Sequence, residues 1–201
     1  MFESGAPLLQ NMLADIRTRG IALDGITVED IAACKNVLGI DIGEGTVNFP
    51  VFKDGRFQPD ASTTFDMGYG FTLTNALAPL SDQGLPFKNR KALADFLQQT
   101  PTALNRRRFE AVQNIVKNVS TDFVSDVVAQ TSQLLQEIAA YIDLIYVYGG
   151  GATPMKDMLY PALLKEMDQS SADISIPVLY LDSQYSRNLN REGLFLLATS
   201  I

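Results

Sequence analysis

The chain alternates short apolar runs with longer helical stripes. Val37-Leu38-Gly39-Ile40-Asp41-Ile42 predicts a buried strand, and residues 46–52 predict a second one paired with it in a hairpin. Lys53-Asp54-Gly55-Arg56 carries the Asp-Gly pair of a tight turn, after which Phe57 opens a third strand. Upstream, Leu8, Leu9, Met12, Leu13 and Ile16 predict a helix over 6–19 that stops at Gly20, and Thr27-Val28-Glu29-Asp30 can open a short one. Downstream, the pattern turns helical over 69–77. Pro79, Gly84 and Pro86 make 80–88 a loop, and a short helix follows over 89–97 before Pro101 interrupts again.

The longest periodic segment is 106–142. Val112, Ile115, Val116, Val119, Phe123, Val127, Leu134, Ile138 and Ile142 keep a helical stripe there, with Ser120-Thr121-Asp122 as a candidate break. Residues 143–148 predict a strand cut short by Gly149-Gly150-Gly151. Thr153 as cap and Pro154 in the first turn then open a helix to about Met167, which Pro161 is expected to kink or divide. A strand over 177–181 and a helix over 190–200 complete the pattern, with no internal repeat and no linker. A hairpin, then helices, then strand, helix, strand, helix is the order of an α/β domain with a mixed sheet.

Composition changes this picture little. The 201 residues suffice for one substantial domain, and 46% hydrophobic with 19% charged residues is ordinary for a soluble globular chain. A net charge of −7 excludes a nonspecific grip on nucleic acid, so any link to DNA runs through a partner. The opening residues do not have the pattern of a signal peptide, and no apolar run reaches membrane-spanning length, so a cytoplasmic location is expected. One cysteine, Cys34, and no histidine exclude an internal disulfide, His-based nucleophilic catalysis and imidazole zinc sites. Cys34 is expected to be a small, at least half-buried apolar residue. Asn118-Val119-Ser120 matches a glycosylation acceptor that means nothing without export.

Candidate chemistry lies in two glycine-rich strand ends. In Asp41-Ile42-Gly43-Glu44-Gly45-Thr46 a carboxylate sits at the carboxyl end of a strand beside two glycines. Gly43 and Gly45 let the hairpin turn adopt positive φ and leave room for an oxyanion, successive N–H groups of such a turn can form an anion nest, and Asp41 is a hard-cation ligand suited to Mg²⁺. An ordinary hairpin with Asp41 as turn former accounts for the same six residues. Gly149-Gly150-Gly151, between a strand and a capped helix, marks close backbone approach at the sheet edge where α/β proteins bind ligands. There is no GxxxxGK[ST] loop and no dinucleotide fingerprint. Arg106-Arg107-Arg108 either faces an acidic partner or neighbouring subunit, or is the solvated start of a helix where positive charge opposes the dipole.

Together the two stretches resemble the actin-like ATPases, which share a fold with Hsp70 and the sugar kinases. Asp41–Thr46 resembles their second phosphate loop, and Tyr146-Val147-Tyr148-Gly149-Gly150-Gly151-Ala152-Thr153 with the helix after it resembles their adenosine motif. Within that superfamily the chain is most similar to ParM-type plasmid-segregating actins. Further stretches carrying the likeness are Glu3-Ser4-Gly5-Ala6-Pro7, Met67-Gly68-Tyr69-Gly70-Phe71-Thr72, the long helix before the glycines, Asp182-Ser183-Gln184-Tyr185 and 190–197. Asn48 stands where many relatives have Asp, and Arg191-Glu192-Gly193-Leu194 where a more aromatic stretch is usual.

The resemblance implies a ribonuclease H-like actin/Hsp70 ATPase domain: a single domain over 1–201 matching the second half of such a protein, the first half being absent from this chain. It also implies roles. Asp41 would hold Mg²⁺ and water at the γ-phosphate of ATP or ADP. Gly43, Glu44, Gly45 and Thr46 would donate to the phosphates, Gly149, Gly150, Gly151, Ala152 and Thr153 would border the adenosine, and Glu3 would polarise the attacking water. Glu3 as a solvated acid near the chain start is the alternative. GTP in place of ATP is left open.

The expected function is the nucleotide-binding half of a filament-forming bacterial ATPase that moves plasmid DNA through a ParR-like adaptor, without itself touching DNA or membrane. Hydrolysis is expected of the intact two-domain protein and little of this chain alone. The alternatives are another actin or Hsp70 superfamily ATPase with a cytoskeletal, chaperone or kinase role, and a stand-alone interaction or filament-capping module.

Overall fold

A computed structural model describes residues 30, 33–138, 141–170, 176–181 and 186. The helices expected over 6–19 and 190–200, Glu3 and Asp182–Tyr185 lie outside the described residues. Five strands come first: β1 (Val37–Ile42), β2 (Val47–Phe49), β3 (Val51–Lys53), β4 (Arg56–Phe57) and β5 (Thr63–Phe65). Helices α1 (Tyr69–Asp82), α2 (Arg90–Leu97) and α3 (Arg106–Ile138) follow, and then β6 (Leu144–Tyr148), α4 (Ala152–Ser170) and β7 (Val178–Tyr180).

The sheet is mixed, as expected. β6 runs parallel to β1 in the register Val37↔Leu144 to Asp41↔Tyr148, and β7 parallel to β6. A strand has two edges, and β6 takes one of β1's over this length. β2 and β3 therefore share the other, end to end and antiparallel, through Asp41↔Asn48 and Leu38↔Val51. The expected single strand over 46–52 is thus broken at Pro50, which has no N–H for the ladder; its carbonyl still accepts from Gly39 N–H at 2.8 Å. The turn to β4 has positive φ at both Asp54 and Gly55, the signature of a type I′ hairpin.

Two apolar clusters hold the layers together. Leu38, Ile40, Ile42, Val47, Ile145 and Val147 on one sheet face are fully buried against α4 and the later half of α3, through Leu159, Leu163, Val127 and Leu135. A second cluster joins α1, α2 and the first half of α3 around Leu73, Leu80, Leu93, Val112 and Val116. α3 belongs to both: its 33 residues form one helix about 50 Å long. Among the described residues no helix is long and apolar enough to cross a membrane.

Three expected interruptions are absent, each for a local reason. Ser120 is buried inside α3 and its hydroxyl donates back to the Val116 carbonyl at 2.7 Å, so the polar triplet does not break the helix. α1 continues through Pro79 to Asp82, where fully buried Leu80 anchors its last turn. α4 likewise passes Pro161 undivided, held on both sides by buried Leu159 and Leu163. Cys34 is a half-buried free thiol. Because Leu38 is fully enclosed between sheet and helices, Leu38→Ala is expected to lower the unfolding free energy by about 3 kcal/mol in a denaturant titration, with activity-independent readout by circular dichroism.

Candidate functional site

The turn after β1 is shaped by the helix beneath it. Gly43 N–H donates to the Thr46 carbonyl at 2.8 Å, which leaves Glu44 and Gly45 at the tip, and neither Gly43 nor Gly45 takes the positive φ expected of it. The carbonyls of Gly43 and Glu44 do not turn back into the hairpin. They accept from Tyr69 N–H at 3.0 Å and Gly70 N–H at 2.9 Å, the first amides of α1. Two orphan donors of a helix N-terminus are thereby satisfied by a turn. Among the described residues no acceptor meets the N–H groups of Glu44, Gly45 and Thr46. With both tip-side carbonyls drawn inward, these amides make an exposed cradle suited to an anion.

Four glycines make this approach possible. A Cβ on Gly68 would lie 2.6 Å from the Gly43 and Glu44 carbonyl oxygens, and one on Gly70 would lie 2.8 Å from the Glu44 oxygen. The turn after β6 closes on the same point. Gly149 has φ +102°, and a Cβ there would sit 2.5 Å from the Ile42 carbonyl oxygen and 2.6 Å from Asp41 Oδ1. A Cβ on Gly151 would meet Ile42 Cγ2 at 2.6 Å and Tyr69 Cβ at 2.7 Å. Gly151 N–H donates to the Ile42 carbonyl at 2.8 Å, which ties the start of α4 to the end of β1. Gly149 is also clamped from β7's side: Ser186 Oγ, buried, donates to its carbonyl at 2.9 Å. Tyr180 OH donates to the Ala152 carbonyl at 2.7 Å. The N-termini of two helices, with their partial positive charge, thus converge on the carboxyl end of β1.

Asp41 lies half-buried at that end. Its register partners Asn48 and Tyr148 share its sheet face, and Asn48 is in turn paired with Thr64. Thr64 Oγ1 donates to Asn48 Oδ1 at 3.0 Å, so the amide at this position is held in the sheet rather than left to roam. The Tyr148 hydroxyl is pushed well above the usual range, first by burial, then by the Asp41 charge and by Tyr146. Burial alone pushes Tyr69 up to about 12 and raises Tyr146. Among the described residues no three Asp, Glu or Cys side chains gather in one place. A cation at Asp41 would therefore take its remaining ligands from water and a bound anion, the usual habit of Mg²⁺.

The structure brings together Asp41, Gly43, Glu44, Gly45 and Thr46 with Gly149, Gly150, Gly151, Ala152 and Thr153; Glu3 is outside the described residues. The sequence predicts Thr153 as the cap, but α4 begins at Ala152, two residues before the Pro154 start that such a cap implies; Gly151 N–H, donated to the Ile42 carbonyl, fixes the entry there. Gly68 and Gly70 were legible only as a glycine turn before a helix. Arg90, whose guanidinium lies 2.9 Å from Glu44 Oε1, had no local signal, since a contact between α2 and the turn cannot be read from spacing.

Against this geometry, a family model described as archaeal actin homologue MreB-like, C-terminal, matches residues 39–160. Among solved structures the chain is similar to Ta0583, an archaeal actin homolog, with a TM-score of 0.60 and 11% identity over 96% of this chain and 55% of that one. It is also similar to Bacillus thuringiensis ParM with ATP, with a TM-score of 0.55 and 18% identity over 83% of this chain and 48% of that one. Bacillus thuringiensis ParM with AMPPNP gives a TM-score of 0.58 at 19% identity over 83% of this chain and 48% of that one. The chain therefore spans about half the length of these structures. No curated protein sequence matches it.

Two outcomes follow from the geometry. Gly149→Ala is expected to cost at least about 2 kcal/mol of stability, through positive φ and the clash with Ile42. Gly150→Ala, where a Cβ meets nothing within 4 Å, is expected to change stability by less than about 0.5 kcal/mol. In alkali the buried tyrosines resist ionisation in the folded state, so their contribution is intact below the ordinary tyrosine pKa near 10 and falls as pH rises toward 12. A pH series of urea melts should show this loss, and Tyr69→Phe should shrink it by up to about 1.4 kcal/mol per pH unit.

Proposed function

The chain belongs to the family of archaeal actin homologues, MreB-like, C-terminal, and from that premise we propose that its two glycine turns form one wall of an ATP-binding cleft in a filament-forming, actin-like ATPase. The observation that carries the proposal is the turn at 43–46. Its carbonyls are drawn into α1, its amides face outward, and Asp41 stands beside it at the meeting point of two helix N-termini. That arrangement suits a polyphosphate. Ta0583 in complex with ADP and Bacillus thuringiensis ParM with ATP, ADP and AMPPNP support the choice of nucleotide. GTP presents the same phosphates and is separated from ATP by the test below.

In this reading the N–H groups of Glu44, Gly45 and Thr46 would donate to phosphate oxygens, and the Asp41 carboxylate would hold Mg²⁺, directly or through its water shell. Gly149 to Thr153 border the adenosine, where the exposed Gly150 lets backbone lie against a ring. Mg²⁺ held at Asp41 would neutralise charge developing on the transferred phosphate, and phosphoryl transfer needs little beyond such positioning. Glu3 is proposed to orient the attacking water. The matching domain from the other half of an intact protein would complete the phosphate ring, so hydrolysis by this chain alone should be slight.

Filament formation by the intact protein is part of the proposal. Plasmid segregation through a ParR-like DNA-binding adaptor in the bacterial cytoplasm is one role such a filament serves. The match to archaeal homologues favours a cytoskeletal role equally. A module without nucleotide is less favoured, because four glycines are held at close approach around an otherwise unused cradle.

An amide-shift titration tests the site. Mg-ATP or Mg-ADP should shift residues 41–47 and 149–153, with GTP compared in parallel, and Asp41→Ala should weaken the Mg²⁺-dependent part about tenfold or more, about 1.4 kcal/mol. No shifts at several millimolar nucleotide would overturn the reading.

A further inference from the structure

Charge is distributed unevenly along this acidic chain. Residues 83–110 hold six Lys and Arg against two Asp and Glu, whereas the remainder holds ten against twenty-one. Arg106, Arg107 and Arg108 occupy the first turn of α3, where no acidic residue balances them and the helix dipole opposes them. Arg108 lies over the rings of Phe87 and Phe96 and has a packing reason. Arg106 and Arg107 are exposed and have no partner among the described residues. Beside them Leu104 is 100% exposed. It is not on a loose loop: Asn105 Oδ1 accepts from Thr102 N–H at 2.6 Å and from Thr102 Oγ1 at 3.1 Å. A wholly exposed leucine held on a braced turn beside two exposed arginines breaks local rules without a compensating contact among the described residues.

The same helix carries the complement. Between the later half of α3 and α4 runs a groove of about 620 Å³ lined by Val124, Val128, Ala129 and Ala162 together with Lys165 and Glu166, and the Ser132 hydroxyl donates to Glu166 Oε1 from one helix to the other. Asp122 extends the groove-lining positions Ser125, Ala129, Ser132 and Gln136 by one turn at helical spacing. Asp126, exposed, flanks it. From Thr121 onward α3 and all of α4 carry six acidic residues and two lysines, and one of those, Lys156, lies over the Tyr180 ring.

We propose that a second copy of this chain seats its 101–108 corner, with Leu104 as anchor and Arg106 and Arg107 as charges, in the groove between α3 and α4. Because corner and groove lie on one continuous helix, about 38 Å apart along its axis, they cannot meet within a molecule. A contact between two different patches is heterologous and propagates head to tail. A nucleic acid or other polyanion would face the acidic remainder of the chain, which favours the second copy as occupant. The proposal gives the self-assembly named above a surface, and it does not require nucleotide to bind.

The test is sedimentation velocity of the full chain from micromolar to high micromolar concentration, at low and at half-molar salt. Association should rise with concentration and weaken about tenfold or more in high salt. Arg106→Glu with Arg107→Glu should abolish it, and so should Asp122→Arg with Asp126→Arg. Mixing those two variants should restore it, since each offers the complement of the other. Leu104→Ser should weaken association about tenfold. The nucleotide-induced amide shifts, measured on the same variants, should be unchanged, which separates failure here from failure of the cleft. A wild-type chain that stays monomeric throughout, or charge-reversed variants whose mixture does not associate, would overturn the proposal.

Discussion

Three backbone segments meet at the carboxyl end of β1 more closely than any side chain permits. The Ile42 carbonyl, the start of α1 and the start of α4 pack at distances where a Cβ on Gly68, Gly149 or Gly151 would fall within 2.7 Å of a neighbouring heavy atom. The architecture around this point follows from that constraint. α1 can give its first amides to the Gly43 and Glu44 carbonyls only because Gly68 and Gly70 let it close in. Those bonds turn the tip's N–H groups outward. The parallel pairing of β6 with β1 then delivers Gly149 over Asp41, so that carboxylate, amide cradle and second helix start share one small space.

How much of this could be read beforehand follows the same physics. A position that excludes a Cβ leaves glycine in the sequence, so Gly149 and Gly151 marked the site without any structure, whereas Gly45 and Gly150, where a Cβ would meet nothing within 4 Å, drew the eye only as part of the same glycine runs. Asp41 was legible because a charge at the end of an apolar strand needs a reason. The interaction that sets the cradle, α1 to turn, was not legible, since backbone hydrogen bonds between distant segments have no residue signature. Arg90 was missed on the same ground. Among the described residues the apolar runs are in the order of β1, the helices and β6 to β7, while β5, two of whose three residues are exposed threonines, has no apolar run to reveal it. Errors clustered at punctuation residues. Pro79 and Pro161 sit inside helices whose buried leucines outweigh the lost hydrogen bond, and Ser120 bonds its own helix instead of ending it.

The two apolar clusters and the charge pattern are linked by α3. Its later half packs under the sheet that holds the glycine turns, and its first half belongs to the lobe with α1 and α2. α1 also begins at the turn itself, and Glu44 at the tip is paired with Arg90 of α2. The lobe and the sheet are thus joined twice, once through a rigid helix and once through the turn. A displacement of the tip would be felt in the lobe that bears the basic corner.

The pairing of β1 with β6 has a consequence for the order in which the molecule is made. The hairpin and the helical lobe need only residues up to the end of α3, and their contacts are local enough to form as soon as they emerge. β6 must return to β1 across roughly a hundred residues, a long loop whose closure is slow compared with hairpin and helix formation. Until it does, the open edge of β1 presents unpaired backbone, and Asp41 has no Gly149 above it. The glycine edge therefore closes only after the hairpin and the helical lobe, and in the interval before it closes the nascent chain is exposed to mispairing along β1.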